Sequence, residues 1–236
     1  MLLTLATFTF AHNSDSRTYT VTSPTGDLTL TLAPNTTSWT YAVTRGGKAL
    51  VTPSRVGMTC DRTRHIPSGE WTVADNGTEQ HRGEWHPLWG KRSRVKDEYN
   101  ALTLHLTSPR GDDKMTLTAR VYDDAVALRY TTDLASPHTL QEATDIRFAH
   151  DYEAWYYNGE RHNIGPERLS KTDGTRWPVM TVRADGCFMA IHEADLGEVC
   201  PMELRSKAGS TVFDITGDAY EGTTRHESAW RVIMCA

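Results

Sequence analysis

The chain has 236 residues, of which 38% are hydrophobic and 23% charged. That is the balance of a folded protein with a sizeable core, and it excludes a disordered or collagen-like chain. Its 25 basic and 30 acidic residues leave a net charge of −5 with no Lys/Arg block, so the basic footprint of a nucleic-acid partner is missing.

Taken in order, the chain begins with an apolar stretch, Leu2, Leu3, Leu5, Ala6, Phe8 and Phe10, ending at Ala11. Residues 1–11 read as a truncated secretory signal, with Thr9 and Ala11 as small residues before a cut. The alternative is a first strand, since no Lys or Arg precedes the stretch. No segment has the length of a transmembrane span. Residues 12–236 read as one domain.

Strands follow almost everywhere. Leu28–Leu32, Leu102–Leu106, Met115–Ala119 and Val126–Tyr130 alternate apolar and polar residues, the period of a half-buried strand. Cys187–Ile191 is more continuously apolar and predicts a strand covered on both faces. Pro24–Asp27, Arg45–Lys48, Asp75–Gly77 and Ala184–Gly186 carry turn residues. No amphipathic helix of three turns is present. Many short strands with regular turns predict an all-β fold, a large antiparallel two-sheet sandwich. Trp230–Ala236 reads as a strand within which the chain stops, so further protein is expected to follow it.

The motifs of common chemistries are missing: no GxSxG, no phosphate loop, no HExxH and no EF-hand loop. Cys60, Cys187, Cys200 and Cys235 fit neither a CxxC motif nor a zinc ribbon; buried free thiols and a disulfide both remain open. His81 and His86 match no ligand spacing and read as solvated loop histidines. Arg110-Gly111-Asp112 and Asp123-Asp124 read as turns. Glu142, Asp145, Glu153, Glu160 and Glu167 are carboxylates available to a glycosidase pair, but the sequence does not say which would face each other. His192-Glu193 closes an apolar strand, where a charged side chain often points into a site. Neighbours on a strand face opposite sides, so the two are not expected to act as a base–acid pair.

A set of blocks in order carries a resemblance: Ser23-Pro24-Thr25-Gly26-Asp27-Leu28, Pro53–Met58, Trp85-His86-Pro87-Leu88-Trp89-Gly90 with Tyr99-Asn100-Ala101-Leu102, Arg120–Tyr130, His192-Glu193-Ala194-Asp195-Leu196 and Trp230-Arg231-Val232-Ile233. Together they are similar to the N-terminal domain of glycoside hydrolase family 97. These are exported bacterial enzymes, largely of the Bacteroides type, acting on α-glucosidic or α-galactosidic bonds. The departures are Ala125 for a turn glycine, Asp195 for a small apolar residue and Ala229 for a proline.

The resemblance implies a super-β-sandwich like the galactose mutarotase-like fold. It also implies a partner in the same protein, a catalytic (β/α)8 barrel of about 250 residues, with α-linked oligosaccharide as substrate and a periplasmic or otherwise exported location. The acid and the base or nucleophile belong to the barrel, so no catalytic residue is assigned here. One residue carries over: Glu193 matches the family's glutamate that reaches into the active site as a calcium ligand. Two other classes are carried as alternatives. One is an independent carbohydrate-binding module using Trp85, Trp89, Trp155 and Trp177. The other is a mutarotase-like sugar epimerase, although fold resemblance does not transfer chemistry.

Overall fold

A computed structural model describes residues 17–157 and 162–236. Residues 1–11 and Glu160, discussed above, lie outside the described residues. Within them the regular structure is strand, apart from a 3-10 turn at Leu169–Lys171. No described helix is long and apolar enough to cross a membrane.

The strands form two antiparallel layers. The first runs β1 (Tyr19–Thr22), β2 (Leu28–Pro34), β3 (Trp39–Arg45), β4 (Lys48–Arg55), β11 (Asp145–Phe148), β17 (Val212–Thr216), β16 (Glu203–Ser206) and the opening residues of β14 (Gly174–Ala184). The second runs β7 (Thr72–Trp85), β8 (Val95–Thr107), β9 (Lys114–Val121), β10 (Ala125–Glu142), β19 (Trp230–Cys235), β15 (Cys187–Ala194), the latter part of β14, β12 (Glu153–Tyr157) and β13 (Ile164–Arg168). The 18-residue β10 outruns β19. Its far half pairs with β18 (Tyr220–Glu227) and then with β5 (Met58–Cys60), beyond which lies β6 (Arg64–Ile66).

The period-2 pattern explains the layering. Leu28, Leu30 and Leu32 of β2 and Leu102, Leu104 and Leu106 of β8 are buried together with Met115, Leu117 and Ala119 of β9. Both sheets therefore turn their apolar alternates inward onto one core. The architecture is the all-β, two-sheet antiparallel sandwich that the alternation predicts.

Three local expectations are corrected. Asp75-Asn76-Gly77 lies inside β7 and pairs regularly with His105, Leu104 and Thr103 of β8, just past a register shift between Val73 and Asp75. Pairing along the whole of β8 overrides the local turn preference of Asp, Asn and Gly, which is why the sequence misleads. Cys187–Ile191 is covered on one face only: Cys187, Met189 and Ile191 are buried, while Phe188 is half exposed. His81 sits on β7, not in a loop, stacked on Tyr99 with its Nε2 3.2 Å from Asp97.

Two blocks distant in sequence meet at one end of the sandwich. The Asp123 carboxylate, in the β9–β10 turn, accepts hydrogen bonds from the Thr25 N–H (2.9 Å) and hydroxyl (2.7 Å). Gly57 has a structural reason to be glycine. Its φ is +131°, and a Cβ there would lie 2.0 Å from the Ile66 carbonyl oxygen, so any side chain clashes with backbone.

Candidate functional site

Glu193 lies on the inward-facing alternates of β15, opposite Arg231 of β19. The Arg231 guanidinium bridges two carboxylates. Its Nη1 donates to Glu193 Oε2 at 2.7 Å, and its Nη2 and Nε donate to Glu142 at 2.6 and 3.2 Å. Glu193 Oε2 accepts a second bond from the Met202 backbone N–H at 2.9 Å. All three side chains are 10% exposed or less. Burial works against the Arg231 charge, yet the glutamates, with Glu142 foremost, raise it above the ordinary arginine value. The arrangement is a preorganised anionic cluster, two carboxylates on one cation. Glu193 Oε1 has no hydrogen-bond partner among the described residues.

His192 stands on the opposite face of β15, beside Phe188 and Ala190. The structure therefore does not bring His192 and Glu193 together as a base–acid pair. Asp195, the charged departure, turns away to pair with Arg129, which also binds Glu227 at 2.8 Å and lies 4.8 Å above the Trp230 ring. Asp195 thus adds its charge to Arg129 and not to the Glu193 cluster.

The other carboxylates are engaged separately. Asp145, fully buried, is held by Arg55 (3.0 Å), Arg147 (2.8 Å) and the Arg55 backbone N–H. Glu153 pairs with Arg183, and Glu167 accepts from the Tyr156 hydroxyl. Among the described residues, Asp145, Glu153 and Glu167 are thus each held by a different partner. His81 and His86 do not converge: His86 lies near Glu84 and the Ser93 carbonyl. The four cysteines are free, three of them buried.

Two apolar surfaces remain exposed. On the outer face of β12, β14, β15 and β19 lie Tyr157, Trp177, Val179, Phe188 and Met234. At the β7–β8 hairpin tip Trp85 is 53%, Leu88 99% and Trp89 87% exposed. Trp155 is partly covered and lies 6.4 Å from the Phe188 ring. Sequence reasoning singled out the tryptophans but missed Phe188, whose strand looked like core. It also missed Glu142 and Arg231 as partners of Glu193, because strand order cannot be read from spacing.

The described residues thus define a β-sandwich domain, two antiparallel sheets with a buried glutamate–arginine–glutamate cluster at a strand end. Residues 21–236 match the model of the glycosyl-hydrolase 97 N-terminal family, and the chain belongs to that family. It is 24% identical over 212 residues to a retaining alpha-galactosidase of Bacteroides thetaiotaomicron, covering 81% of this chain and 31% of that protein. It is 25% identical to a probable retaining alpha-galactosidase of Streptomyces bingchenggensis, covering 91% and 35%. The chain thus spans about a third of the length of these bacterial relatives. A family 97 enzyme from Pseudoalteromonas sp. strain K8, solved with acarbose, has the same fold, with a TM-score of 0.81 at 20% identity over 92% of this chain and 35% of that one.

Proposed function

We propose that this chain is the non-catalytic sandwich of a longer exported α-glycoside hydrolase, bracing a (β/α)8 barrel and supplying Glu193 to a calcium ion in the active site. The substrate class is an α-linked galactoside or glucoside, and the names of the relatives favour the galactoside. The observation that carries the reading is the state of the Glu193 carboxylate. Oε2 is fixed by Arg231 and the Met202 N–H, which holds Oε1 in place at little entropic cost on binding.

Calcium takes six to eight oxygen ligands. Glu142 is committed to Arg231 by both oxygens, so this chain fits the ion as the source of one ligand, and the rest come from the barrel. When bound, the ion would supply a positive charge to polarise a sugar oxygen. The chain's own residues position: Arg231 orients Glu193, Glu142 holds Arg231, and the Met202 N–H fixes the oxygen on the Arg231 side. The exposed row Tyr157, Trp177, Val179 and Phe188 supports barrel docking, since interfaces between domains of one chain cover about 600 Å² or more.

The test is Glu193→Gln in the full-length protein. It keeps the shape and removes the charge that attracts a divalent cation. The calcium concentration for half-maximal activity should rise while the fold is unchanged. Superimposable calcium curves for wild type and variant would mean that Glu193 serves only as an ion-pair partner of Arg231.

A second reading, an independent carbohydrate-binding module, is favoured by the exposed Trp85 and Trp89, because aromatic faces stack on sugar rings. Retention of the chain on starch or a galactan, lost in Trp89→Ala, would establish it.

A further inference from the structure

The β5–β6 hairpin and the far end of β10 bring together three side chains of different ligand chemistry. Cys60 ends β5, Asp61 follows it in the turn, and His138 lies on β10. Cys60 Sγ is 3.8 Å from Asp61 Oδ2, and His138 Nδ1 is 2.7 Å from the same oxygen. The three ligand atoms all lie within 4.8 Å of one another.

Asp61 and His138 are also held from behind, through an atom other than the ligand atom, and Cys60 is held at its sulfur. His138 Nδ1 donates to Asp61 Oδ2, and its Nε2 is 3.1 Å from Ser136 Oγ, which can hold a proton on Nε2 once Nδ1 gives its own up. Asp61 Oδ1 accepts from the Thr139 N–H at 3.0 Å, leaving Oδ2 inward. Cys60 Sγ accepts from Arg64 Nη2 at 3.1 Å, and Arg64 is in turn held by Asp113 at 3.3 Å. Outer contacts of this kind orient the ligands of protein metal sites. Asp61 and Arg62 have φ of +52° and +65°, a costly conformation for non-glycine residues. It sets the Asp61 carboxylate against His138.

We propose that Cys60, Asp61 and His138 form a zinc site, distinct from the Glu193 cluster. A thiolate, an imidazole and a carboxylate are the donor types that zinc takes, with about 2.3 Å to sulfur and 2.0–2.1 Å to nitrogen and oxygen. A tetrahedron with those bonds has edges of about 3.3–3.6 Å, so the present separations need adjustments on the order of 1 Å. The charges balance: thiolate, Asp61 and Asp113 carry −3, and Arg64 and the ion carry +3. On binding, the Cys60 thiol gives its proton to solvent, and the His138 proton passes by way of solvent from Nδ1 to Nε2, where Ser136 Oγ accepts it, which frees the Nδ1 lone pair for the metal. Cys60 is buried while Asp61 and His138 are partly exposed, so the ion enters from their side. That side opens on a groove of about 540 Å³, lined by His138, Ser136, Arg64 and Glu70, where a water or a small ligand takes the fourth position.

The experiment uses the 236-residue chain after treatment with a chelator. Zinc is titrated against a chromophoric competitor, and cobalt(II) is titrated while its thiolate charge-transfer band is followed. We expect one metal per chain, a band lost in Cys60→Ser and kept in Cys200→Ser, and an affinity about tenfold lower or more in Ser136→Ala. Asp61→Asn has a more than half-exposed side chain and tests the site should Cys60→Ser fail to fold; its zinc affinity should fall at least tenfold with the circular dichroism unchanged. Failure to take up one zinc, a band that follows Cys200 and not Cys60, or wild-type affinity in Asp61→Asn would overturn the proposal.

Discussion

Replacing Arg231 with Met tests the energetics of the Glu142–Arg231–Glu193 cluster. Methionine fills much of the same space but removes the guanidinium from two carboxylates whose side chains are 7% and 10% exposed. Three charge-assisted hydrogen bonds go, and both carboxylates keep their desolvation without a counter-charge. Breaking a buried ion pair from one side costs about 3–5 kcal/mol. For a chain of this size each kcal/mol lowers the melting temperature by about 2–4 °C, so Arg231→Met should melt roughly 6–20 °C below wild type. Calorimetry and urea denaturation followed by circular dichroism measure it. The triple variant Glu142→Gln, Arg231→Met, Glu193→Gln should regain most of the loss, because no charge is left unpaired. A loss below about 1 kcal/mol in Arg231→Met, the behaviour of an exposed pair, would refute the reasoning.

His226 is buried on β18, and desolvation is the chief cause that lowers its pKa from the ordinary 6.5. The unfolded chain then binds a proton more readily than the folded one, so this residue makes stability fall as pH drops through about 6.5 and level off below the folded pKa; His226→Gln should flatten that slope in urea midpoints measured between about pH 7 and 5. Leu104 is fully buried between the sheets, and Leu104→Ala should cost about 2–5 kcal/mol by denaturant titration, with a loss under 1 kcal/mol showing that the core there is loosely packed. The 236-residue chain by itself should release no nitrophenol from aryl α-galactosides or α-glucosides; a rate above a purified blank would show that it carries its own acid and base.

What the sequence determined by itself is what depends on neighbours along the chain. Alternation at Leu28–Leu32 or Met115–Ala119 fixes which side chains turn inward, because the strand period is local. From many such runs the two-layer all-β class follows, and the ordered blocks from Ser23 to Ile233 carry the family. The opposite facing of His192 and Glu193 was legible for the same reason. Strand partners were not, because pairing joins residues far apart in the chain. Nothing near Glu193 announces Arg231, 38 positions on, or Glu142, 89 positions from that arginine. Nor does Cys60 announce His138, which meets Asp61 across 77 positions. Only the tertiary structure decided that Phe188 faces outward, that Asp75–Gly77 is paired strand and not a turn, and that Asp195 answers to Arg129. In each case the deciding energy is a contact made by sheet order, and sheet order is set by how the whole chain buries its apolar faces.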